Sequence, residues 1–465
     1  MRPLEIVIPI LLTVYLLWQR PRPQIIRLMP AAALIVTLAH ILLEGTRWQM
    51  IPLYALTLIL AGLSFFVSDV KPLASYPTLR LAQGGAVILL AVSTAVPALL
   101  PVPKIAAPSG ALEVGTTIYE FTDTARKELY SGRDEPRRFM VQVWYPAEVT
   151  STARHAQWMP EPKIYAPAIA VFLDLPSFFL DHLALSVSPA YLDLPLAETN
   201  EQYPVILFSH GWNGFNAQNT GQAVELASHG YVVIATQHTY GAVATVFPDG
   251  TVALNNPRAL PENADDPNYE VVARKLVNQW AEDMAFVLDQ FQGFDEDAGS
   301  LFFQRLDMER IGAYGHSTGG GAAIQFCGVD LRCKAVLGMD PFMRPISAEV
   351  IGNGISQPSF FMFSQGWADL VDSKNNKLFN QFYPNITNNS GVIVINGTRH
   401  FDFSDLPLLS PIAPQLGLKG PLNGKRVTEI VDAYLLAFFE MTLNNKPSTL
   451  FSGSFDDFSE VKVRQ

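Results

Sequence analysis

The stretch "IGAYGHSTGGGAAIQF", Ile311 to Phe326, places a single serine, Ser317, between an apolar run and a glycine-rich segment. The apolar residues up to Tyr314 predict a strand, and "GAAIQF" predicts a helix directly after the glycines. A serine in so tight a strand-to-helix turn adopts a strained backbone conformation. Only residues without bulk two positions before and after it, here Gly315 and Gly319, let the strand and the helix approach each other. The pattern therefore predicts a nucleophile elbow.

The helix that begins at Thr318 would add its N-terminal dipole and unpaired N–H groups, which favour a developing oxyanion. The alternative is a glycine-rich turn with an incidental serine, since the five-residue pattern is frequent by chance. A phosphate-binding loop is excluded by residue type, because no lysine follows the glycines. The position between a predicted strand and a predicted helix favours the elbow.

The chain consists of two parts of different composition. It has 465 residues, of which 49% are hydrophobic and 16% charged, and its formal net charge is −11. The region up to Ile105 contains eight Lys and Arg but only three acids, so the remainder is strongly acidic, which argues against a nucleic-acid partner. Four apolar stretches lie in the N-terminal region: Ile6 to Trp18, Leu28 to Leu43, Trp48 to Val67 and Ala82 to Leu100. We predict a bundle of four transmembrane helices in residues 1–103, followed by a linker in residues 104–115.

The last two apolar stretches are near 20 residues, long enough to span a bilayer, whereas the first two are shorter and contain Pro9 and His40. A cleaved signal peptide is disfavoured because "QRPRP", Gln19 to Pro23, offers no small-residue cleavage site. A buried soluble bundle is the other alternative. Arginines crowd the first joint, and Lys71 and Arg80 lie at the third, so both joints should be cytoplasmic. An even number of spans then predicts a multi-pass membrane protein whose remaining chain is extracytoplasmic.

Residues 116–465 alternate short β-branched runs with longer helical patterns, which predicts an α/β domain. Eight strands are predicted: Thr117 to Phe121, Arg138 to Tyr145, Val205 to Ser209, Tyr231 to Thr236, Arg310 to Tyr314, Lys334 to Met339, Ser359 to Phe363 and Val392 to Ile395. Helices are predicted at Gln222 to Ser228, ended by Gly230, at Tyr269 to Phe291, and at Lys425 to Leu443. We expect a mostly parallel sheet with the ligand site at the carboxyl ends of its strands.

Serine at neutral pH needs an imidazole to accept its proton and a carboxylate to orient that imidazole. After Ser317 the chain contains one histidine, His400, on the loop that follows the last predicted strand. Two acids compete for the third position. Many enzymes of this architecture place the acid late, which favours Asp369, whereas Asp340 ends its strand and needs no loop to reach the cleft. We favour Asp340, and the order serine, acid, histidine is the one expected for hydrolases of this kind.

A second oxyanion donor is expected from the loop after the strand Val205 to Ser209. There the chain reads "LFSHGWNGF", and the backbone N–H of Trp212 would face the same point as that of Thr318. We interpret His210 and His238 as structural residues.

These motifs, in this order, resemble the platelet-activating-factor acetylhydrolase family, a calcium-independent phospholipase A2 group of the α/β-hydrolase superfamily. The resemblance is carried by "VQVWYPAE", "YPVILFSHGW", "ELASHGYVVIATQH", "YGHSTGGGAAIQ", "LRCKAVLGMDPFM" and "INGTRHFDFSDL". It implies an α/β-hydrolase fold, with Ser317 as nucleophile, Asp340 as orienting acid and His400 as base. It also implies an oxyanion hole at Trp212 and Thr318, although Thr318 stands where Phe is usual in the family.

We therefore predict a serine carboxylic-ester hydrolase that acts through an acyl-enzyme on short-acyl or phospholipid-type esters, with no cofactor and no metal. A general esterase, a polyester hydrolase or an acyltransferase could use the same triad, and a non-catalytic ligand-binding membrane protein is a further alternative. Cys327 and Cys333 either form a short disulfide or remain free thiols. The apolar insertion Tyr165 to Val187 suits a lid or membrane-docking surface and equally an ordinary helix over the sheet edge.

Overall fold

A computed structural model describes residues 1–66, 77–199, 201–451 and 458–464. The chain divides into two compact units. The first contains Met1–Pro103 with two short later segments, Phe179–Ser186 and Leu409–Ile412, and the second contains the remaining chain from Lys104 onward. Each unit therefore draws on more than one stretch of sequence.

The first unit is helical. Its helices are α1 (Pro3–Leu17), α2 (Gln24–Arg27), α3 (Met29–Leu43), α4 (Ile51–Phe66) and α5 (Pro77–Leu99). Two runs in the described part of the chain, Trp48–Phe66 and Thr78–Leu99, are long and apolar enough to cross a membrane. At 15 residues each, α1 and α3 are about 22 Å long at 1.5 Å per residue, short of a hydrocarbon core of about 30 Å. The length criterion thus supports two of the four predicted spans. Val67, the last residue of the third predicted stretch, and Lys71, in the third predicted joint, lie outside the described residues.

This helical unit has charged groups in its interior and large apolar side chains on its outside. Glu5, His40 and Arg47 are buried, and Arg47 Nη2 lies 2.7 Å from Glu5 Oε2. Nδ1 of His40 lies 2.9 Å from the Glu44 carboxylate, so this imidazole also has a polar partner within the unit. The exposed apolar side chains occur on all four long helices and include Ile10, Leu17, Leu38, Leu42, Leu58, Phe65, Leu81 and Ile88.

The second unit is built on a large sheet. Its strands are β1 (Glu113–Lys127), β2 (Pro136–Ala147), β3 (His155–Gln157), β4 (Val187–Leu192), β5 (Tyr203–Ser209), β6 (Val232–Gln237), β9 (Leu306–His316), β10 (Cys333–Met339), β11 (Ser359–Ser364), β12 (Asn389–Ile395) and β13 (Val461–Val463), while β7 (Ala244–Val246) and β8 (Val252–Leu254) form a separate hairpin. The order across the sheet is β13-β12-β11-β10-β9-β5-β6-β2-β1-β4-β3. The strands from β6 to β12 in this order run parallel, whereas β1, β2 and β13 pair antiparallel with a neighbour.

The predicted mostly parallel sheet is confirmed, but the predicted number of eight strands is wrong, because the described sheet has eleven. The three additional strands, β3, β4 and β13, are three to six residues long and lie at or near the two edges. Edge strands are exposed on at least one side, so they lack the continuous apolar run by which buried parallel strands are recognised. In addition, β1 begins at Glu113, inside the predicted linker.

Helices cover the sheet. They are α6 (Pro162–Phe172), α7 (Thr220–Ser228), α8 (Tyr269–Glu296), α9 (Thr318–Val329), α10 (Ala348–Asn353), α11 (Gln365–Ala368), α12 (Lys374–Phe382) and α13 (Gly424–Leu443). The predicted helices Gln222 to Ser228, Tyr269 to Phe291 and Lys425 to Leu443 correspond to α7, α8 and α13. Gly230, which follows α7, has the expected left-handed conformation with φ of +95°. Every residue of β5 and β6 is buried, as expected for strands covered on both faces.

Two features left open by the sequence are defined in the structure. Cys327 and Cys333 form a disulfide between α9 and β10. The apolar insertion Tyr165 to Val187 does not form one element, because its first part belongs to α6 in the second unit and Phe179–Ser186 belongs to the helical unit. Within the helical unit Trp48 Nε1 donates a hydrogen bond to the Phe179 carbonyl oxygen at 3.1 Å.

Candidate active site

Ser317 occupies the turn between β9 and α9 with φ of +56° and ψ of −120°, a strained conformation for a residue other than glycine. The glycines on either side explain why this turn is possible. A Cβ atom on Gly315 would lie 2.3 Å from the Gly319 carbonyl oxygen, and one on Gly319 would lie 2.0 Å from the Ser209 carbonyl oxygen. A side chain at either position would force the strand and the helix apart, which is the steric argument made from the sequence.

His400 and Asp340 are brought together from positions 60 residues apart. Nδ1 of His400 lies 3.0 Å from Oδ2 of Asp340, which is fully buried at the carboxyl end of β10. The competing acid, Asp369, is exposed at the end of α11. The structure therefore brings Asp340, and not Asp369, to the imidazole.

Two hydrogen bonds from one residue hold the Asp340 carboxylate. The backbone N–H of Ser364 donates to Oδ1 at 2.8 Å, and its hydroxyl donates to Oδ2 at 2.6 Å. Ser364 is the last residue of β11, the parallel neighbour of β10, so the ends of the two strands meet at one edge. The sequence analysis missed Ser364, although a polar residue at a predicted strand end is a signal that could have identified it.

The electrostatic environment of the pair is set mainly by burial. Burial raises the pKa of Asp340, and the two hydrogen bonds from Ser364 act in the opposite direction. Burial lowers the pKa of His400 below the ordinary value for histidine, although a quarter of its side chain (25%) is exposed. His400 is therefore neutral near pH 7, the form that can accept a proton from a hydroxyl group.

The loop after β5 supplies the peptide group of the expected second oxyanion donor. His210 Nδ1 donates to the Gly211 carbonyl oxygen at 2.7 Å, and the N–H of Gly214 donates to the same oxygen at 2.9 Å. Because the C=O and N–H of a trans peptide point in opposite directions, these two bonds also fix the direction of the Trp212 N–H. A Cβ on Gly211 would lie 3.4 Å from Cβ of Ser317, so this peptide lies directly beside the serine.

Ser317, His400 and Trp212 line one small pocket. Most of the other lining side chains are apolar, among them Ile169, Phe172, Leu173, Phe215, Phe401 and Leu406. Among the residues that the structure describes, no Lys, Arg, Asp or Glu lines this pocket. The site thus combines a strained hydroxyl, a neutral imidazole and an apolar wall. Thr318, the other predicted oxyanion donor, is the first residue of α9, where helix N–H groups lack partners within the helix.

A second serine–histidine–aspartate set lies beneath this site. The Ser209 hydroxyl pairs with Nε2 of His238 at 2.9 Å, and Nδ1 of His238 pairs with Oδ2 of Asp283 at 2.9 Å. All three side chains are fully buried, and Arg137 Nη2 lies 2.6 Å from Oδ2 of Asp283. His238 also donates its backbone N–H to Nε2 of His210 at 3.2 Å, so this set supports the loop that carries Trp212.

Comparison with known proteins identifies the family of this chain. The profile of the family described as platelet-activating factor acetylhydrolase, isoform II, matches residues 101–449. The chain belongs to this family. A platelet-activating factor acetylhydrolase of Cavia porcellus is 29% identical over 336 residues, which are 68% of this chain and 75% of that protein. A probable 1-alkyl-2-acetylglycerophosphocholine esterase of Arthroderma benhamiae is 24% identical over 412 residues, 81% of this chain and 97% of that protein.

A solved structure supports the fold independently. The ferulic acid esterase from Streptomyces cinnamoneus superposes with a TM-score of 0.63 and 23% sequence identity, over 78% of this chain and 100% of that chain. The second unit is thus an α/β-hydrolase fold, and the predicted carboxylic ester hydrolase of the serine type is confirmed by the family and its members.

Proposed function

We propose that Ser317 is the nucleophile of this ester hydrolase, His400 its general base and Asp340 the acid that orients His400. The observation that carries this proposal is the 3.0 Å contact of Asp340 with His400, which lines the same pocket as a serine with φ of +56°. The strained turn exposes the hydroxyl, and the carboxylate fixes the imidazole with Nδ1 protonated and Nε2 free to act as the base.

In this mechanism Nε2 of His400 takes the proton of the Ser317 hydroxyl as Oγ forms a bond to the acyl carbon. The N–H groups of Trp212 and Thr318 donate hydrogen bonds to the resulting oxyanion. His400 then returns the proton to the leaving alkoxide, which departs as the alcohol and leaves an acyl-enzyme. A water molecule, deprotonated by the same imidazole, adds to the acyl carbon. The bond between the acyl carbon and Ser317 Oγ then breaks, Oγ takes the proton back from His400, and the carboxylic acid leaves.

For the substrate we propose a short-acyl ester of a glycerophospholipid, the class named by the relatives from Cavia porcellus and Arthroderma benhamiae. The pocket is small and its wall is mostly apolar, which suits an acetyl or other short acyl chain. The phosphate of such a lipid would remain outside, because no cationic side chain in the described chain lines the pocket.

The same feature favours a second candidate, the hydrolysis of neutral esters without a phosphate. Because no Lys or Arg side chain lines the pocket in the described chain, the pocket does not select for an anionic leaving group. Acetyl esters of a simple alcohol and of a glycerophospholipid would then be cleaved with similar kcat/KM.

We further propose that residues 1–103 anchor the enzyme in a membrane by four spans and that residues 116–465 form an extracytoplasmic catalytic domain. The outward-facing Leu and Ile side chains of α1, α3, α4 and α5 support the anchor, because such a surface is costly in water. The Cys327–Cys333 disulfide supports an oxidising compartment. Protease protection of the catalytic domain in sealed right-side-out vesicles would contradict this orientation.

The catalytic assignment is tested by labelling the full-length protein with a fluorophosphonate. We expect one covalent adduct, on Ser317, in the wild type and none in Ser317→Ala. An adduct on another serine, or full esterase activity in Ser317→Ala, would contradict it. A panel of 1-alkyl-2-acetylglycerophosphocholine, a long-acyl phosphatidylcholine and an aryl acetate then separates the two substrate candidates by kcat/KM.

A further inference from the structure

The imidazole ring of His400 lies between two other rings. The indole of Trp367 is nearly parallel to it, at a centroid distance of 4.2 Å and an interplanar angle of 14°. On its other side the imidazole of His316 lies 4.4 Å away, tilted by 39°. We call this set of three rings the aromatic sandwich.

Each outer ring is held in place by contacts to the proposed catalytic groups. Nε2 of His316 donates to the backbone carbonyl oxygen of His400 at 2.9 Å, and Nδ1 of His316 lies 3.3 Å from Nε2 of Gln218. His316 immediately precedes Ser317 in the elbow, so the nucleophile and this ring share one short segment. A displacement of His316 would therefore move both the serine and the backbone of His400.

Trp367 is tied to the acid through Ser364. The Ser364 hydroxyl donates to Asp340 and accepts the backbone N–H of Trp367 at 3.2 Å, so one hydroxyl positions both groups. The Trp367 carbonyl oxygen accepts a hydrogen bond from Nδ2 of Asn376 at 2.9 Å, which connects this segment to α12. Trp367 is thus fixed relative to the carboxylate on which His400 depends.

We propose that Trp367 and His316 are positioning residues for the proposed base, and that Trp367 stabilises the imidazolium formed when His400 takes the serine proton. This inference rests on the proposed function, since it requires His400 to be the base. Rotation of the imidazole about Cβ–Cγ would drive it into either outer ring, so the sandwich keeps Nδ1 on Asp340 while Nε2 stays directed to the pocket. An aromatic face also attracts a cation that lies over it.

The arrangement requires His316 to remain neutral while His400 becomes charged. Burial and the neighbouring His400 lower the pKa of His316 well below the ordinary value. Asp340 contacts His400 directly. Arg464 acts on Asp340, because its positive charge favours the ionised form of that carboxylate. A neutral outer ring on one side and an indole on the other leave Asp340 as the counter-ion of the imidazolium.

The test is the variant Trp367→Leu in the full-length protein, which keeps an apolar side chain over His400 but removes the aromatic face. We expect kcat on an aryl acetate to fall about 3- to 30-fold with KM nearly unchanged, the range of a cation–π contact. Because the imidazolium loses stabilisation, the acid limb of the kcat/KM profile should move to lower pH. Trp367→Phe, which restores a ring, should recover most of kcat and of the limb position.

The matched control is Tyr383→Leu. It removes a ring that stacks on Phe379, a residue of α12, at a centroid distance of 5.6 Å and an interplanar angle of 18°, and that does not stack on His400. It should leave kcat and the profile as in the wild type. For His316, which is buried, His316→Gln keeps a donor and removes the ring, and we expect slower fluorophosphonate labelling in the folded protein.

A folded Trp367→Leu protein with wild-type kcat and an unmoved acid limb would overturn the sandwich. If Trp367→Leu does not fold, the same profile measured on Trp367→Phe and the labelling rate of His316→Gln decide. The variant His400→Ala distinguishes failure of the proposed function from failure of the sandwich. If His400→Ala keeps its activity, the proposed function fails. If His400→Ala is inactive while Trp367→Leu is unaffected, only the sandwich is rejected.

Discussion

Two serine–histidine–aspartate sets lie in the same domain with nearly identical histidine–aspartate distances. In the pocket set, Nδ1 of His400 is 3.0 Å from Asp340, and in the buried set, Nδ1 of His238 is 2.9 Å from Asp283. By residue type and by the histidine–aspartate distance either could belong to a catalytic triad. They differ in everything that surrounds those three groups.

The two serines differ in backbone conformation and access. Ser209 is the last residue of an extended strand and is fully buried, whereas Ser317 has φ of +56° and lines a pocket. The two acids differ in the sign of their pKa shifts. Burial raises the pKa of Asp340, whereas for Asp283 the effect of burial is outweighed by Arg137 and by the hydrogen bond from His238, so its pKa is lowered. We therefore propose the reactive role for the pocket set, whose serine combines strain, access and a nearby oxyanion donor, none of which hydrogen-bond contact between three side chains supplies.

The largest expected contrast is between the two serines. Ser317→Ala should lower kcat by about 10⁶-fold, the scale seen when a serine nucleophile is removed. Ser209→Ala should keep kcat within a few-fold and cost about 1 to 3 kcal/mol of unfolding free energy, because Nε2 of His238 loses its buried partner. Hydrolysis of an aryl acetate and denaturant unfolding measure the two effects.

The next contrast is between the two acids. Asp340→Asn should leave the protein folded and lower kcat by about 10⁴-fold, because the amide favours the wrong tautomer of His400. Asp283→Asn should instead cost about 3 to 5 kcal/mol of stability, since it leaves the buried Arg137 without its full counter-charge. An Asp340→Asn enzyme with wild-type kcat would transfer the role of the acid to another carboxylate, and Asp369→Asn is the control that should remain active.

A smaller effect is expected where the buried set supports the pocket set. His210→Phe keeps a ring against Trp280, 5.1 Å away in the wild type, but removes the donor to the Gly211 carbonyl oxygen. We expect kcat to fall about 10- to 100-fold, less than for complete loss of an oxyanion donor, because Gly214 still holds the same oxygen. His210→Asn, whose Nδ2 can replace Nδ1, should restore most of the activity. An unchanged kcat in His210→Phe would show that the direction of the Trp212 N–H does not depend on His210.

The smallest expected effect is on the pH profile. His400 must be neutral to act as the base, and burial lowers its pKa below 6.5. As the pH falls, kcat/KM should therefore be retained below pH 6.5 and be lost only as the pH passes the lowered pKa. Within the buried set, Asp283 has a lowered pKa and contributes stability above its unfolded value of about 3.9, which is lost as the pH falls further. Burial lowers the pKa of His238, so this histidine costs stability as the pH falls below its unfolded value of about 6.5. Circular dichroism over the same range separates unfolding from titration, and an acid limb above pH 6.5 in folded protein would contradict the assignment.

The sequence predicted the elbow at Ser317 because the requirement is local. The absence of a Cβ at Gly315 and Gly319 is a property of the residues themselves, and the structure only supplies the distances. The parallel strands were predicted for the same reason, since burial on both faces requires continuous apolar runs. His400 could be predicted because it is the one histidine after the serine.

Only the tertiary structure decided which residues surround that histidine. Asp340 and Asp369 both follow apolar strands, and their distances from His400 depend on how the ends of β10 and β11 align in the sheet. Ser364, His316 and Trp367 gain their contacts to the pair from the same alignment. The position of Ser364 after a predicted strand is a local signal, but no local pattern predicts which side chain each of the three residues contacts. Strand and turn conformations follow from residues next to one another in the chain, whereas the partners of a side chain in the pocket are set by packing between distant segments.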